Sequence, residues 1–117
     1  MSTIDLLPIA KLLLPEVLVK YFELTTHELE HGTLHFYFEE YNILPEEYKK
    51  GEATSKGFYP EIKVQDFPLR GKQVYLHIKR RRWQDKDSKQ IVTRNWDLVA
   101  KGTRMTKEFS SFLKQID

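Results

Sequence analysis

The sequence predicts an α+β fold: an N-terminal helix, an antiparallel sheet of about five strands and a C-terminal helix. Three observations carry this. Apolar residues recur at three- and four-residue spacing over residues 4–22 and again from Met105 onward, which marks amphipathic helices. Between them the period falls to two, the signature of half-buried strands. Glycine and proline separate the alternating runs, as turns require. At 117 residues the chain is one domain, helical over 1–22, sheet over 22–99 and helical over 103–117.

In the first segment Leu6, Ile9 and Leu13, then Leu14, Val17, Leu18 and Tyr21, share helical spacing. Pro15 suits the first turn of a second helical piece, where its missing N–H would be unbonded anyway. From Phe22 the pattern alternates: Phe22, Leu24 and Thr26 on one face, and, after Glu30-His31-Gly32, Leu34, Phe36 and Phe38. This predicts an antiparallel hairpin with one apolar face. Residues 42–57 read as a polar connection, with a turn of helix over 45–49. Ile62 and Val64 mark a short strand ended by Pro68, and Val74, Leu76 and Ile78 the buried face of the next. On its other face Tyr75, His77, Lys79, Arg81 and Trp83 are expected to project into solvent. Residues 84–89 form a charged loop, and residues 91–99 return as a strand with Val92, Arg94, Trp96 and Leu98 on one face. Met105, Phe109, Phe112, Leu113 and Ile116 give the final helix, with Thr103 or Thr106 as its cap.

Charge is segregated. The net +2 conceals 5 Lys/Arg against 10 Asp/Glu in residues 1–60, and 14 against 7 in residues 61–117. Such a domain has one surface that attracts phosphate and another that repels it. No cysteine is present, which excludes disulfides, thiolate zinc sites and cysteine nucleophiles. The apolar start has neither a basic leader nor a small-residue cleavage site, and it is too short and polar to span a bilayer. The expected setting is cytoplasmic, with no membrane partner.

His27-Glu28-Leu29-Glu30-His31 fits H-E-x-x-H, in which two histidines on one helix face bind zinc. A strand pattern runs into it and Gly32 follows at once. On a strand, residues four apart are separated by about 13 Å at ~3.3 Å per residue, too far to share one ion. A metallohydrolase on His27, Glu28 and His31 is therefore the weakest of three readings, and no metal, cofactor or catalytic residue is assigned. The strongest rests on Lys79-Arg80-Arg81-Arg82-Trp83. Arginine binds phosphate bidentately or stacks on a base, and an indole can stack beside it. Lys79, Arg80, Arg81, Arg82 and Arg94 are the expected phosphate or base contacts and Trp83 the stacking residue. Lys72, Lys86, Lys89 and Arg104 form a second tier. The third reading is a protein-docking module that uses the acidic N-terminal half.

Ser55-Lys56-Gly57-Phe58-Tyr59-Pro60, Ile62-Lys63-Val64-Gln65-Asp66-Phe67-Pro68, Gly71, Val74-Tyr75-Leu76-His77-Ile78 and Arg80-Arg81-Arg82-Trp83 follow one another in a familiar order. Over residues 55–106 the chain resembles the N-terminal zinc-ribbon region of bacterial insertion-sequence transposases of the DDE class. With Gly102-Thr103-Arg104-Met105-Thr106 it is similar to the short, separately encoded N-terminal region proteins of one such group in Bacteroidetes. The ribbon's cysteine pairs are missing, so the resemblance brings no zinc. It implies a non-catalytic module that binds transposon-end DNA. A separately encoded DDE catalytic subunit would be its partner, and the family's catalytic acidic residues would lie beyond residue 117.

Overall fold

Alternating residues do dominate the middle of the chain, but they build two sheets where the sequence predicts one. The computed structural model describes residues 16–46, 48, 52–96, 99, 113 and 114. A short helix α1 (Glu16–Tyr21) is followed by β1 (Phe22–Glu30), β2 (Thr33–Glu40), β3 (Ala53–Phe58), β4 (Ile62–Leu69), β5 (Lys72–Lys79), β6 (Arg81–Asp85) and β7 (Ile91–Val92). One sheet has the order β1-β2-β5-β4 and the other β3-β6-β7. The α+β expectation is thus corrected to a mostly β architecture, 58% strand and 10% helix among the described residues, with mixed strand directions. The predicted N-terminal helix survives as α1, with residues 1–15 outside the described residues. Of the predicted C-terminal helix only Leu113 and Lys114 are described.

The mixed direction follows from the route of the chain. β2 pairs β5 in parallel, whereas β1/β2 and β4/β5 are antiparallel. A parallel neighbour needs a long crossover, and residues 41–71 supply it by visiting the second sheet as β3 and returning along the edge as β4. Both hairpins of the first sheet turn on two residues at positive φ, His31-Gly32 (51° and 76°) and Arg70-Gly71 (49° and 78°). Two consecutive positive φ values match the right-handed twist of the flanking strands, and glycine holds the second position without strain. Pro68 lies within β4, not after it, and is tolerated because β4 is an edge strand.

The core lies on one face of the larger sheet. Phe36 and Phe38 from β2, Val74, Leu76 and Ile78 from β5, and Ile62 and Val64 from β4 are buried there, under Leu18, Phe22, Trp96 and Leu113. Full burial of a side chain such as Ile78, at 0% exposure, contributes ~1.5–3 kcal/mol. Phe22 stacks on Trp96 with centroids 5.5 Å apart, and Tyr21 meets the same indole edge-on at 5.9 Å. The strand expected over 91–99 is cut to β7. After it Trp96 turns helical, and Val99 N–H bonds Asn95 C=O at 3.2 Å.

Candidate nucleic-acid interface

The five-residue basic segment straddles the passage from one sheet to the other. β5 ends at Lys79 and β6 begins at Arg81, so Arg80 sits in the step between them. Three of the expected contacts turn inward. Arg80 is 2% exposed, donates to Leu113 C=O at 2.9 Å and lies over the Tyr59 ring at 5.3 Å. Trp83, at 1% exposure, donates from Nε1 to Asn42 Oδ1 at 2.8 Å. Arg94 is also buried. The expectation that Arg80 and Trp83 project into solvent is corrected, and Arg94 is buried with them. They hold the sheets together.

Glu40, at the end of β2, is held by Arg94 and by Arg81. Its Oε1 accepts from Arg81 N–H at 2.9 Å, its Oε2 from Arg94 Nε at 2.7 Å, and its carbonyl from Arg81 Nε at 3.0 Å. Arg81 Nη1 also reaches Ser55 Oγ at 2.6 Å, and its guanidinium covers the Phe58 ring at 4.5 Å. Arg94 Nη2 donates to Ile43 C=O at 2.5 Å, with the rings of Tyr21, Trp83 and Trp96 within 6.0 Å of its guanidinium. Burial pushes the Glu40 carboxyl above its ordinary range, and the hydrogen bonds from Arg94 and Arg81 pull the other way. One carboxylate and two guanidiniums therefore fasten the three-stranded sheet to the larger one.

The cations left at the surface are fewer. Arg82 faces the opposite side of β6 from Trp83. Its Nε donates to Lys56 C=O at 3.3 Å, and its guanidinium lies 6.0 Å from the Tyr59 ring. Exposed Lys56 lies in the irregular stretch of β3 beside it. Lys86 and Lys89 are exposed in the β6–β7 turn, Lys86 in a 2.9 Å ion pair with Glu52. Lys72 is exposed at the β4–β5 turn, Lys79 is half-buried on the larger sheet, and Arg104 lies outside the described residues.

The β6–β7 turn is shaped by Asp85. Its Oδ1 accepts from the N–H groups of Asp87 and Ser88 at 2.8 Å, and its Oδ2 from the Tyr48 hydroxyl. The phenol and turn amides hold Asp85 down at about 2, and the carboxylate raises Tyr48 to about 12. A depressed carboxyl stabilises the fold above its unfolded value, and that support fades as pH falls toward about 2. The raised phenol contributes below its unfolded value, and its support fades as pH rises through about 12. In an NMR titration Tyr48 is expected to ionise at about 12, and Asp85→Asn should bring it back toward the ordinary range, ~10.

The solvent side of the larger sheet carries a second constellation. Across it His35 stands opposite Tyr75 and Tyr37 opposite His77. The rings stack on one another in a row, with His35 on Tyr75 at 5.6 Å and Tyr37 on His77 at 4.3 Å, and His77, expected to project into solvent, is buried. His35 Nδ1 and His77 Nε2 share a hydrogen bond at 2.8 Å, and His77 Nδ1 meets Glu61 Oε2 at 2.9 Å. The sequence placed both histidines on polar strand faces, but their contact depends on the parallel pairing, which alternation does not reveal. The H-E-x-x-H match lies on β1 and its turn, with His27 in the strand and His31 at positive φ. No group of three or more His, Asp or Glu suited to a metal ion occurs among the described residues.

No family profile, curated protein or solved structure matches the chain. Among the described residues no helix is long and apolar enough to cross a membrane.

Proposed function

We propose that the chain is a non-catalytic DNA-binding module that positions transposon DNA for a separately encoded catalytic subunit, in a reducing cytoplasmic setting. The observation that carries this reading is the outer side of the β3–β6–β7 ribbon. There Arg82 and Lys56 adjoin one another, and Lys86 and Lys89 extend from the turn. The inward arginines narrow the contact set to these four, with Lys72 and Lys79 elsewhere on the surface. Phosphate contact by four cations predicts a slope of log affinity against log salt of about −3 to −4, at ~0.9 per contact. Changing Lys56, Arg82, Lys86 and Lys89 together to Ala should remove most of that slope without lowering the melting temperature. Absence of binding to duplex DNA at low salt, or an unchanged slope in the quadruple variant, would sink the reading. The docking alternative is favoured by a different surface, the aromatic layer on the larger sheet.

A further inference from the structure

We propose that the solvent face of the β1-β2-β5-β4 sheet is a docking platform for an arginine-bearing segment of a partner protein. This concerns a different surface from the ribbon and stands or falls independently of DNA binding. The platform carries a row of stacked rings, His35, Tyr37, Tyr75 and His77, on its two central strands, with His77 buried and the other three half-buried. A stacked layer of this kind could receive a nucleobase or a guanidinium, since both are planar and bind π-faces. Charge decides between them. Glu28 and Glu30 flank the layer on β1, with Glu39 on β2 and Glu61 just before β4, against Lys63 and Lys79. Phosphates would approach an excess of carboxylates, whereas an arginine finds rings beneath it and carboxylates around it.

Two further observations agree. Lys63 Nζ already sits over the Tyr75 ring at 4.4 Å, an internal instance of the contact proposed. The Tyr37 hydroxyl is raised above its ordinary value, first by burial and then by Glu28, Glu61 and Glu30, so the carboxylate field reaches the rings. Beside Tyr37 the register of β1 shifts between Leu24 and Thr26. A depression of about 230 Å³ opens there, lined by residues that include Thr25, Glu39, Glu61 and Lys79. That volume accepts a guanidinium and its stem. Arginine is favoured over lysine because a planar fork can stack and bond carboxylates at once.

The test is titration of the isotope-labelled full chain with an uncharged-end peptide, Arg-Gly-Arg-Gly-Arg, followed by NMR. Saturable shifts confined to His35, Tyr37, Tyr75, His77 and the flanking carboxylates are expected, with the lysine counterpart weaker. Glu28→Gln with Glu61→Gln should weaken binding by about fivefold or more, since two surface ion pairs are lost. Glutamine at 61 keeps an acceptor for His77, so the fold should persist, and an unchanged melting temperature checks this. Tyr75→Leu should weaken the arginine peptide more than the lysine one. Shifts spread evenly over all surface carboxylates, or indifference to these variants, would overturn the proposal. So would movement of the same signals by a thymidine octanucleotide in preference to the peptide, or by protein concentration alone.

Discussion

Arg94→Met is expected to destabilise the domain by about 3–5 kcal/mol, because it leaves the Glu40 carboxylate buried without its guanidinium. The pair is buried on both sides, with side-chain exposures of 7% and 1%. An exposed pair at the same distance would be worth ~0–1 kcal/mol. At ~4 °C per kcal/mol for a domain near this size, the melting temperature should fall by more than 10 °C. The dependence on acid is distinctive. Burial already raises the Glu40 carboxyl, and removing Arg94 raises it further. A carboxyl higher in the folded state than in the unfolded one costs stability as pH rises and returns it as pH falls. The variant should therefore regain stability on acidification from neutral pH toward the ordinary carboxylate range, seen as a rising midpoint in urea. Pairing Arg94→Met with Glu40→Leu should recover only part of the loss. The Arg81 N–H and the Ile43 carbonyl would then lack their partners, at ~1–3 kcal/mol each.

Trp83→Ala is the second large effect. The indole is 1% exposed, so truncation removes a buried aromatic body and leaves a cavity, costing about 3–5 kcal/mol. The bond from Nε1 to Asn42 is lost as well. DNA affinity per folded molecule should be unchanged in proportion, because Trp83 faces Arg94 and not the outer ribbon. Lost binding at an unchanged melting temperature would instead make Trp83 the stacking residue that its place beside four cations suggests.

Much of the larger sheet was legible in the sequence because its strands bury one face. Val74, Leu76 and Ile78 show this, as do Leu34, Phe36 and Phe38. Less legible was where alternation breaks. The shift in β1 carries Thr26 to the solvent face opposite Tyr37, although period two from Phe22 places it inward. β3, with Ala53, Thr54, Ser55, Lys56 and Gly57, has no apolar stripe, since as an edge strand of a small sheet it buries little. Parallel pairing of β2 and β5 leaves no local signal, because a distant crossover sets it.

The candidate site was half legible for the same reason. Cations and indoles were what the sequence singled out, but their direction depends on the break at Arg80 and on Glu40, forty residues away in sequence. Continued alternation would have left Arg81 and Trp83 facing solvent. In the fold they turn toward Glu40 and Asn42, and Arg82 faces outward. The resemblance to transposase N-termini rests on the motif order and has no cysteine ligands to hold a ribbon. The Glu40–Arg81–Arg94 brace fastens the two sheets to each other.

The central claim is that the arginines of this segment divide into structural and DNA-facing sets. Side-chain Nε–H resonances of nitrogen-labelled protein, recorded with and without duplex DNA, test it most directly. The account predicts slowly exchanging Arg81 and Arg94 signals that DNA leaves in place, because both donate to Glu40, and an Arg82 signal that moves. Rapidly exchanging Arg81 and Arg94 signals that shift on DNA addition, with Arg82 unmoved, would contradict it.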